Sequence, residues 1–375
     1  MHSNQKALLG ASLVASALIG AGSARAAQPA PSHIVAPTGS DDAVQAYWTP
    51  ERIANAKSAD MIVQGPLRRG HVRPQATAAR QIVPGALPKL PYDESLAVKL
   101  YDDSLIPHRE PTLQPIVGSG GLPFTTNRLY PAGDKVLHAV YPYATVGHLY
   151  FTEPSGDFQC SASVIRANTI ATAGHCVNDG NGNYYTNWLF IPAQNGSLAP
   201  YGKWTWANAI TTSAWYSGGG GVPNEQDDAV IVLNQRKVKG TYYTVGDYVG
   251  YLGYEFNAPL PTTVTQLGYP CNLDACGDPI ATYAQDTAGP TNNFQWGSAS
   301  FGGASGGPEI QDFGQAPSGV PSETLGGNIA VSSFSYYYTT AGVDVDGGSI
   351  YYSPGQNGEY TFGDDLNYAC SNNGC

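Results

Sequence analysis

Charge is scarce in this sequence. Asp, Glu, Lys and Arg make up 13% of its 375 residues, about half the share of an average soluble protein. Basic residues are the rarer sign, 18 against 29 acidic ones, for a net charge of −11. A chain without a basic surplus has little with which to neutralise a phosphate backbone or an anionic bilayer surface, which argues against nucleic acid and membrane as partners. Long apolar runs are also lacking: beyond residue 22 no stretch approaches the roughly 20 consecutive apolar residues that span a bilayer. No fixed-period repeat is evident, and nothing calls for an organic cofactor or a resident metal. Asp344-Val345-Asp346-Gly347-Gly348 has the look of a calcium loop but lacks the bidentate acid at its twelfth position, and it reads as a turn.

What is present points outward from the cell. Lys6, the small and apolar run Ala7 to Gly22, and Ala24-Arg25-Ala26 follow the order of a signal peptide over residues 1–26. A secreted, extracellular protein is expected, in a compartment where disulfides persist. Residues 27–122 are rich in Pro, Ala and Gln and contain no cysteine. Residues 27–120 carry 9 basic and 9 acidic side chains, whereas residues 121–375 carry 7 and 20. This stretch reads either as a flexible arm or as a prosegment removed on maturation, and composition favours neither.

From residue 130 onward the pattern changes to short β-branched and aromatic runs between Gly, Asn, Pro and Asp: Thr145 to Phe151, Ser163 to Ala171, Ala229 to Leu233, Thr262 to Gly268 and Asn328 to Phe334. Many short strands without long helical periodicity predict an all-β fold, an antiparallel sandwich or barrel. Within it three motifs follow one another: Thr172-Ala173-Gly174-His175-Cys176, then Asp227-Asp228-Ala229, then Gly303-Ala304-Ser305-Gly306-Gly307. Nucleophilic acyl transfer needs a hydroxyl, a base, a carboxylate to orient the base, and backbone donors for the oxyanion. The Ser motif alone also fits the nucleophile elbow of α/β-hydrolases, in which the catalytic His follows the Ser. Here all seven histidines precede Ser305. The subtilisin order would put Asp before His in a parallel α/β sheet, and the helices for that are missing. His, Asp, Ser is the order left.

On these motifs, together with Ala139 to Tyr143, Ile191 to Gly196, Val249 to Tyr254 and Gly268-Tyr269-Pro270, the chain resembles the chymotrypsin-like serine peptidases. Within them it is most similar to the bacterial and fungal glutamyl-endopeptidase-type, V8-like branch, over roughly residues 136–340. The resemblance implies two six-stranded antiparallel β-barrels, residues 123–250 carrying His175 and Asp227 and residues 251–375 carrying Ser305, with the site in the cleft between them. It implies Ser305 as nucleophile, His175 as base, Asp227 as orienting carboxylate, and the Gly303 and Ser305 N–H groups as oxyanion hole. Asp228 is then a flanking residue expected to face solvent, and His138 and His148 are surface or strand residues. The resemblance also implies a disulfide from Cys160 to Cys176 around the His loop, worth about 3 kcal/mol in the chain-entropy model. Cys271, Cys276, Cys370 and Cys375 are left to local pairing, or to a zinc site of two C-x4-C arms, which an oxidising compartment disfavours.

Departures from the family bear on activation and specificity. Ala304 precedes the Ser where many animal members carry an Asp that pairs with a new amino terminus, so activation is expected to be release of the prosegment. Ala299 replaces the Asp of a trypsin-like pocket floor. Ser300 keeps the hydroxyl of glutamyl endopeptidases, but Ser332 stands where their pocket His is expected, and Phe334 narrows the pocket. A neutral, small or medium side chain before the cut is therefore expected. The predicted function is that of a secreted, monomeric serine endopeptidase acting on proteins or peptides. A catalytically silent binding or adhesive protein on the same fold and an ester-directed acyl hydrolase are the alternatives.

Overall fold

The computed structural model describes residues 31–37, 39–70, 79–102, 104, 122–129, 140–260, 263–314, 327–340, 342–356 and 360–375. The expected signal peptide lies outside the described residues, as does His138. Pro-rich sequence breaks the amino-terminal segment into short pieces: β1 (Ser32–Val35), α1 (Asp41–Tyr47), α2 (Pro50–Asn55), β2 (Lys57–Ser58), β3 (Ile62–Val63), β4 (Gln81–Val83) and β5 (Val98–Lys99). Thr49 caps α2 by accepting from the Arg52 N–H, and Pro50 sits at its first turn, where the missing amide donor costs nothing. The next strand, β6 (Phe124–Arg128), was expected in the first barrel. It pairs instead along β18 (Ile280–Gln285) of the second sheet.

The first sheet contains β7 (Val146–Glu153), β8 (Gly156–Arg166), β9 (Thr169–Thr172), β10 (Thr186–Pro192), β12 (Trp204–Thr211) and β13 (Ala229–Leu233), and pairing of β12 with β13 closes these six into a barrel. Two-residue periodicity explains how one strand can be buried along its whole length. In β13, Ala229, Ile231 and Leu233 fill the barrel, whereas Val230 and Val232 turn outward into a second apolar cluster with Leu252, Tyr254, Leu267 and Tyr269. That shared cluster cements the two barrels and fixes the cleft between them. The short α3 (Ser213–Ser217) connects β12 to β13, β11 (Leu198–Ala199) pairs with β5, and β14 (Arg236–Val238) forms a hairpin with β15 (Thr241–Tyr243) before α4 (Val245–Val249).

The second sheet runs in the order β19-β20-β23-β22-β21-β17-β18-β6, curled and open, with β16 added beside β22. Its remaining members are β16 (Gly253–Phe256), β17 (Thr263–Gly268), β19 (Thr287–Ala288), β20 (Asn293–Gly297), β21 (Pro308–Gln311), β22 (Ile329–Tyr338) and β23 (Val345–Ile350). β23 contains Asp346-Gly347-Gly348, so the stretch read as a turn is a paired strand instead. The terminal α5 (Phe362–Asn373) also crosses the expected boundary: Phe362, Leu366 and Ala369 join the inter-barrel cluster, and the helix packs on β12 and β13.

The amino-terminal pieces add to both bodies. β1 pairs with β12, β2 with β8, β3 with β22 and β4 with β16. Val44, Ile53, Leu96 and Leu100 are buried in the first barrel's core cluster, each such side chain worth about 1.5–3 kcal/mol. The Trp48 indole N–H donates to the Asn187 carbonyl at 2.6 Å.

Candidate active site

β9 ends at Thr172 and the chain tightens into a 3-10 turn over Gly174–Cys176, which carries His175. Cys176 is bonded to Cys160 of β8, with the Cα atoms 6.3 Å apart, so the turn is tied to the barrel wall from below. Gly174 is required by close approach: a Cβ there would lie 2.8 Å from the Trp215 ring and 3.0 Å from Asp227 Oδ1. Asp227 enters from the residue pair before β13 and is fully buried. Its Oδ1 accepts the His175 backbone N–H at 2.8 Å, and its Oδ2 lies 2.8 Å from His175 Nδ1 and accepts the Ser335 hydroxyl at 2.5 Å. A carboxylate that accepts from three donors is fixed in position. It assigns the ring proton to Nδ1 and leaves Nε2, which is buried without a hydrogen-bond partner, as the basic nitrogen.

Ser305 lies in the tight loop before β21, fully buried. The loop is held to the first barrel by the Ser161 N–H on the Ser305 carbonyl at 2.7 Å and by the Ser161 hydroxyl on the Gly303 carbonyl at 2.8 Å. Gly303 has φ +96°, and a Cβ there would lie 2.5 Å from the Tyr269 carbonyl oxygen, so the turn before Ser305 requires glycine. The Ser305 hydroxyl donates to the Ala59 carbonyl at 3.1 Å. Ala59, Asp60 and Met61 then wall a cavity of about 230 Å³ against His175, Glu153, Asp179 and Trp215. Of the three motif residues His175 lines this cavity itself, while Asp227 and Ser305 reach its walls through their hydrogen bonds to the His175 ring and to the Ala59 carbonyl.

The pocket candidates divide. Ser300 is buried with its hydroxyl unpartnered, while the Ala299 carbonyl accepts from Asn272. Ser332 turns its hydroxyl onto Glu309, and Phe334 packs on Trp296 with ring centroids 6.1 Å apart. Burial pushes the Glu309 carboxyl well above the usual carboxylate range. Asp346, paired with Tyr337 in the ladder of β22 and β23, is fully buried, and burial raises its carboxyl too, against a smaller opposing effect of the Ser298 hydroxyl. Asp228, expected at the surface, is buried because α5 folds back over β13; burial, then the charges of Asp227 and Asp365, push its carboxyl well up. Sequence reasoning missed Ser335, Trp215 and Ala59. None lies in a motif, and only the register of β22 could have singled out Ser335.

The cysteines form three pairs, Cys160–Cys176, Cys271–Cys276 and Cys370–Cys375. The sulfurs of Cys160 and Cys176 and a ring nitrogen of His175 lie within 4.8 Å of one another, but sulfurs joined to each other offer no thiolate to a cation.

The trypsin family model matches residues 138–336. The chain belongs to the trypsin family. It is 30% identical over 179 residues to a glutamyl endopeptidase of Bacillus licheniformis, covering 46% of this chain and 50% of that protein. It is 26% identical over 137 residues to an extracellular metalloprotease of Bacillus subtilis, covering 35% and 40%. The chain thus spans half or less of the curated relatives it matches. Among solved structures, the thermostable serine protease AL20 from an extremophilic microorganism has 27% identity and a TM-score of 0.49, covering 61% of this chain and 98% of that one. The V8-like branch of the family, to which the motifs pointed, is where the glutamyl endopeptidase likeness falls.

His148 stands apart from the catalytic cluster, on β7. Its Nδ1 lies 2.9 Å from the Tyr150 hydroxyl and its ring centroid 3.9 Å from that of Tyr269. Burial lowers its pKa to about 4, against about 6.5 in an unfolded chain. Between these values the unfolded state binds one proton more, so stability should fall as pH falls, by about 1.4 kcal/mol per unit from about pH 6.5 to about pH 4. Urea midpoints across that range should show a slope that His148→Gln flattens; an unchanged slope in the variant would assign the acid sensitivity to other groups.

Proposed function

We propose that this chain is a secreted serine endopeptidase that hydrolyses peptide bonds through an acyl-enzyme on Ser305. The observation that carries the reading is the Asp227 carboxylate, which holds the His175 ring through Nδ1 and leaves Nε2 toward the cavity whose far wall, Ala59, receives the Ser305 hydroxyl. In the reaction Ser305 Oγ attacks the scissile carbonyl while His175 Nε2 takes its proton, and Asp227 stabilises the imidazolium. The Gly303 and Ser305 N–H groups receive the oxyanion, each such donor worth about 3–4 kcal/mol in the transition state. His175 then returns the proton to the leaving amine, and water repeats the sequence on the ester. Substrates are proteins or peptides, and the working unit is a monomer without nucleic acid or membrane partners. Residues 1–26 serve as the export signal and residues 27–122 as a prosegment. Among the described residues no helix is long and apolar enough to cross a membrane.

The test is treatment with a serine-directed phosphonate, read by intact and peptide mass spectrometry beside hydrolysis of an unstructured protein. One adduct per chain on Ser305, with hydrolysis lost in step, is expected. A folded and processed chain that takes no adduct and cuts nothing would move the protein to the binding class.

A further inference from the structure

The amino-terminal segment does more than cover the enzyme: a continuous run of it lies along the cleft. The Gln159 side chain donates to the Ala56 carbonyl at 3.0 Å, and Lys57 and Ser58 pair in parallel with Phe158 and Gln159 on β8. The Ala59 N–H donates to the Gln159 carbonyl at 3.1 Å, and the Ala59 carbonyl takes the Ser305 hydroxyl. Asp60 then lies against Gly302, so close that a Cβ on Gly302 would fall 1.4 Å from Asp60 Oδ1, and beside the Tyr337 phenol. Ile62 and Val63 pair in parallel with Tyr337 and Tyr338 on β22, with the Met61 and Val63 carbonyls accepting from the Tyr337 and Thr339 N–H groups at 3.2 and 3.3 Å.

We propose that Lys57–Val63 is a built-in peptide inhibitor of the Ser305 site, bound in parallel to the strands on both sides of the cleft and held there in a form that is not consumed. This rests on the serine-peptidase reading above. Three features make the contact inhibitory rather than productive. A hydroxyl that donates to a carbonyl oxygen lies near the plane of that carbonyl, whereas attack requires approach to the carbon from above that plane. The same bond commits the Ser305 proton to Ala59, away from His175 Nε2, which has no partner. Finally, both flanks are anchored. Were the Ala59–Asp60 bond to break, Ser305 Oγ would be acylated by the Ala59 carbonyl and the Asp60 amine would leave with the proton from His175. That amine would remain held through Met61 and Val63 on β22 beside the ester, at an effective concentration that favours resynthesis over hydrolysis.

The cleft is thereby a binding site for an extended peptide running parallel to β8 and β22, and its ligand is this chain's own sequence. The full chain is compared with a full chain whose residues 57–63 are replaced by Gly and Ser at equal length, and with Val63→Pro, which removes one ladder donor from β3 and leaves the residues beside Ser305 in place. The rate of phosphonate adduct formation, read by intact mass, should rise at least tenfold in the Gly/Ser chain and to an intermediate value in Val63→Pro, so the ordering survives if one variant folds poorly. A synthetic peptide of residues 55–66 added to the Gly/Ser chain should slow labelling again and be recovered uncut. Equal labelling of the native and variant chains, or steady cutting of the peptide between Ala59 and Asp60, would overturn the proposal while leaving the peptidase reading standing. Failure of every chain to label, with the Gly/Ser chain folded by near-UV dichroism, would remove the nucleophile itself and both readings with it.

Discussion

Ser305→Ala, in the chain freed of its amino-terminal segment, is expected to lower kcat for peptide hydrolysis about 10⁵- to 10⁶-fold, the scale seen when a triad nucleophile is removed. In the proposed mechanism the hydroxyl forms the acyl bond, and without it the backbone donors can only stabilise attack by water. The loss should not come from unfolding. Among the described residues the side chain makes one hydrogen bond, to Ala59, and the loop is held through main-chain atoms that alanine keeps. A neutral hydrogen bond of that kind is worth about 1 kcal/mol, so the thermal midpoint of the full-length variant should shift by only a few degrees. A matched ester and amide substrate pair should lose turnover together. Retention of amide hydrolysis in the variant would remove Ser305 from the mechanism, and loss of the ester activity alone would favour the acyl-hydrolase alternative.

The sheet architecture was legible because strand period and turn residues are local signals. Ala229 to Leu233 reads as a strand on its own, and its alternation between the barrel interior and the inter-barrel cluster follows from that period. What was not legible depended on pairing at long range. Phe124–Arg128 lies beside the first barrel in sequence, yet its ladder partner is β18, more than 150 residues on. Asp228 looked solvent-facing because nothing near it in sequence announces that α5 will return to cover β13. Likewise the Pro-rich composition of residues 27–122 tells that long elements are interrupted, and says nothing of where the short ones dock; Trp48 and Ala59 find their partners at Asn187 and Ser305.

The site shows the same division. His175 and Ser305 sit in motifs whose glycines are needed for backbone reasons, close approach at Gly174 and φ +96° at Gly303, so their surroundings are written beside them. Asp227 has no such frame, and the choice between two adjacent acids rested on family likeness. In the structure the two differ in surroundings: Asp227 receives three donors, whereas Asp228 is buried and feels the like charges of Asp227 and Asp365. Ser335, the third donor, was hidden in a run of serines whose directions depend on a register shift between Phe334 and Tyr336.

Asp227→Asn is expected to cost about 10⁴-fold in kcat, the scale of losing the correct imidazole tautomer. An amide has one oxygen and one NH₂ where the carboxylate has two acceptors. The His175 backbone N–H is a fixed donor on the Oδ1 side at 2.8 Å, so the amide oxygen must take that place and the NH₂ must face His175 Nδ1. There it donates, which moves the ring proton to Nε2 and leaves no basic nitrogen to take the Ser305 proton in the proposed reaction. The Ser335 hydroxyl can rotate to accept from the new NH₂, so the fold should hold while catalysis fails. Ser335→Ala provides the contrast: it removes a donor without touching the tautomer and should cost no more than about tenfold to one-hundredfold, the range of a hydrogen bond to a charged group. The two variants should therefore separate by at least two orders of magnitude at similar thermal stability. A loss of less than tenfold in Asp227→Asn would show that the imidazole keeps its working tautomer without this carboxylate, and the triad assignment would fail at its second member.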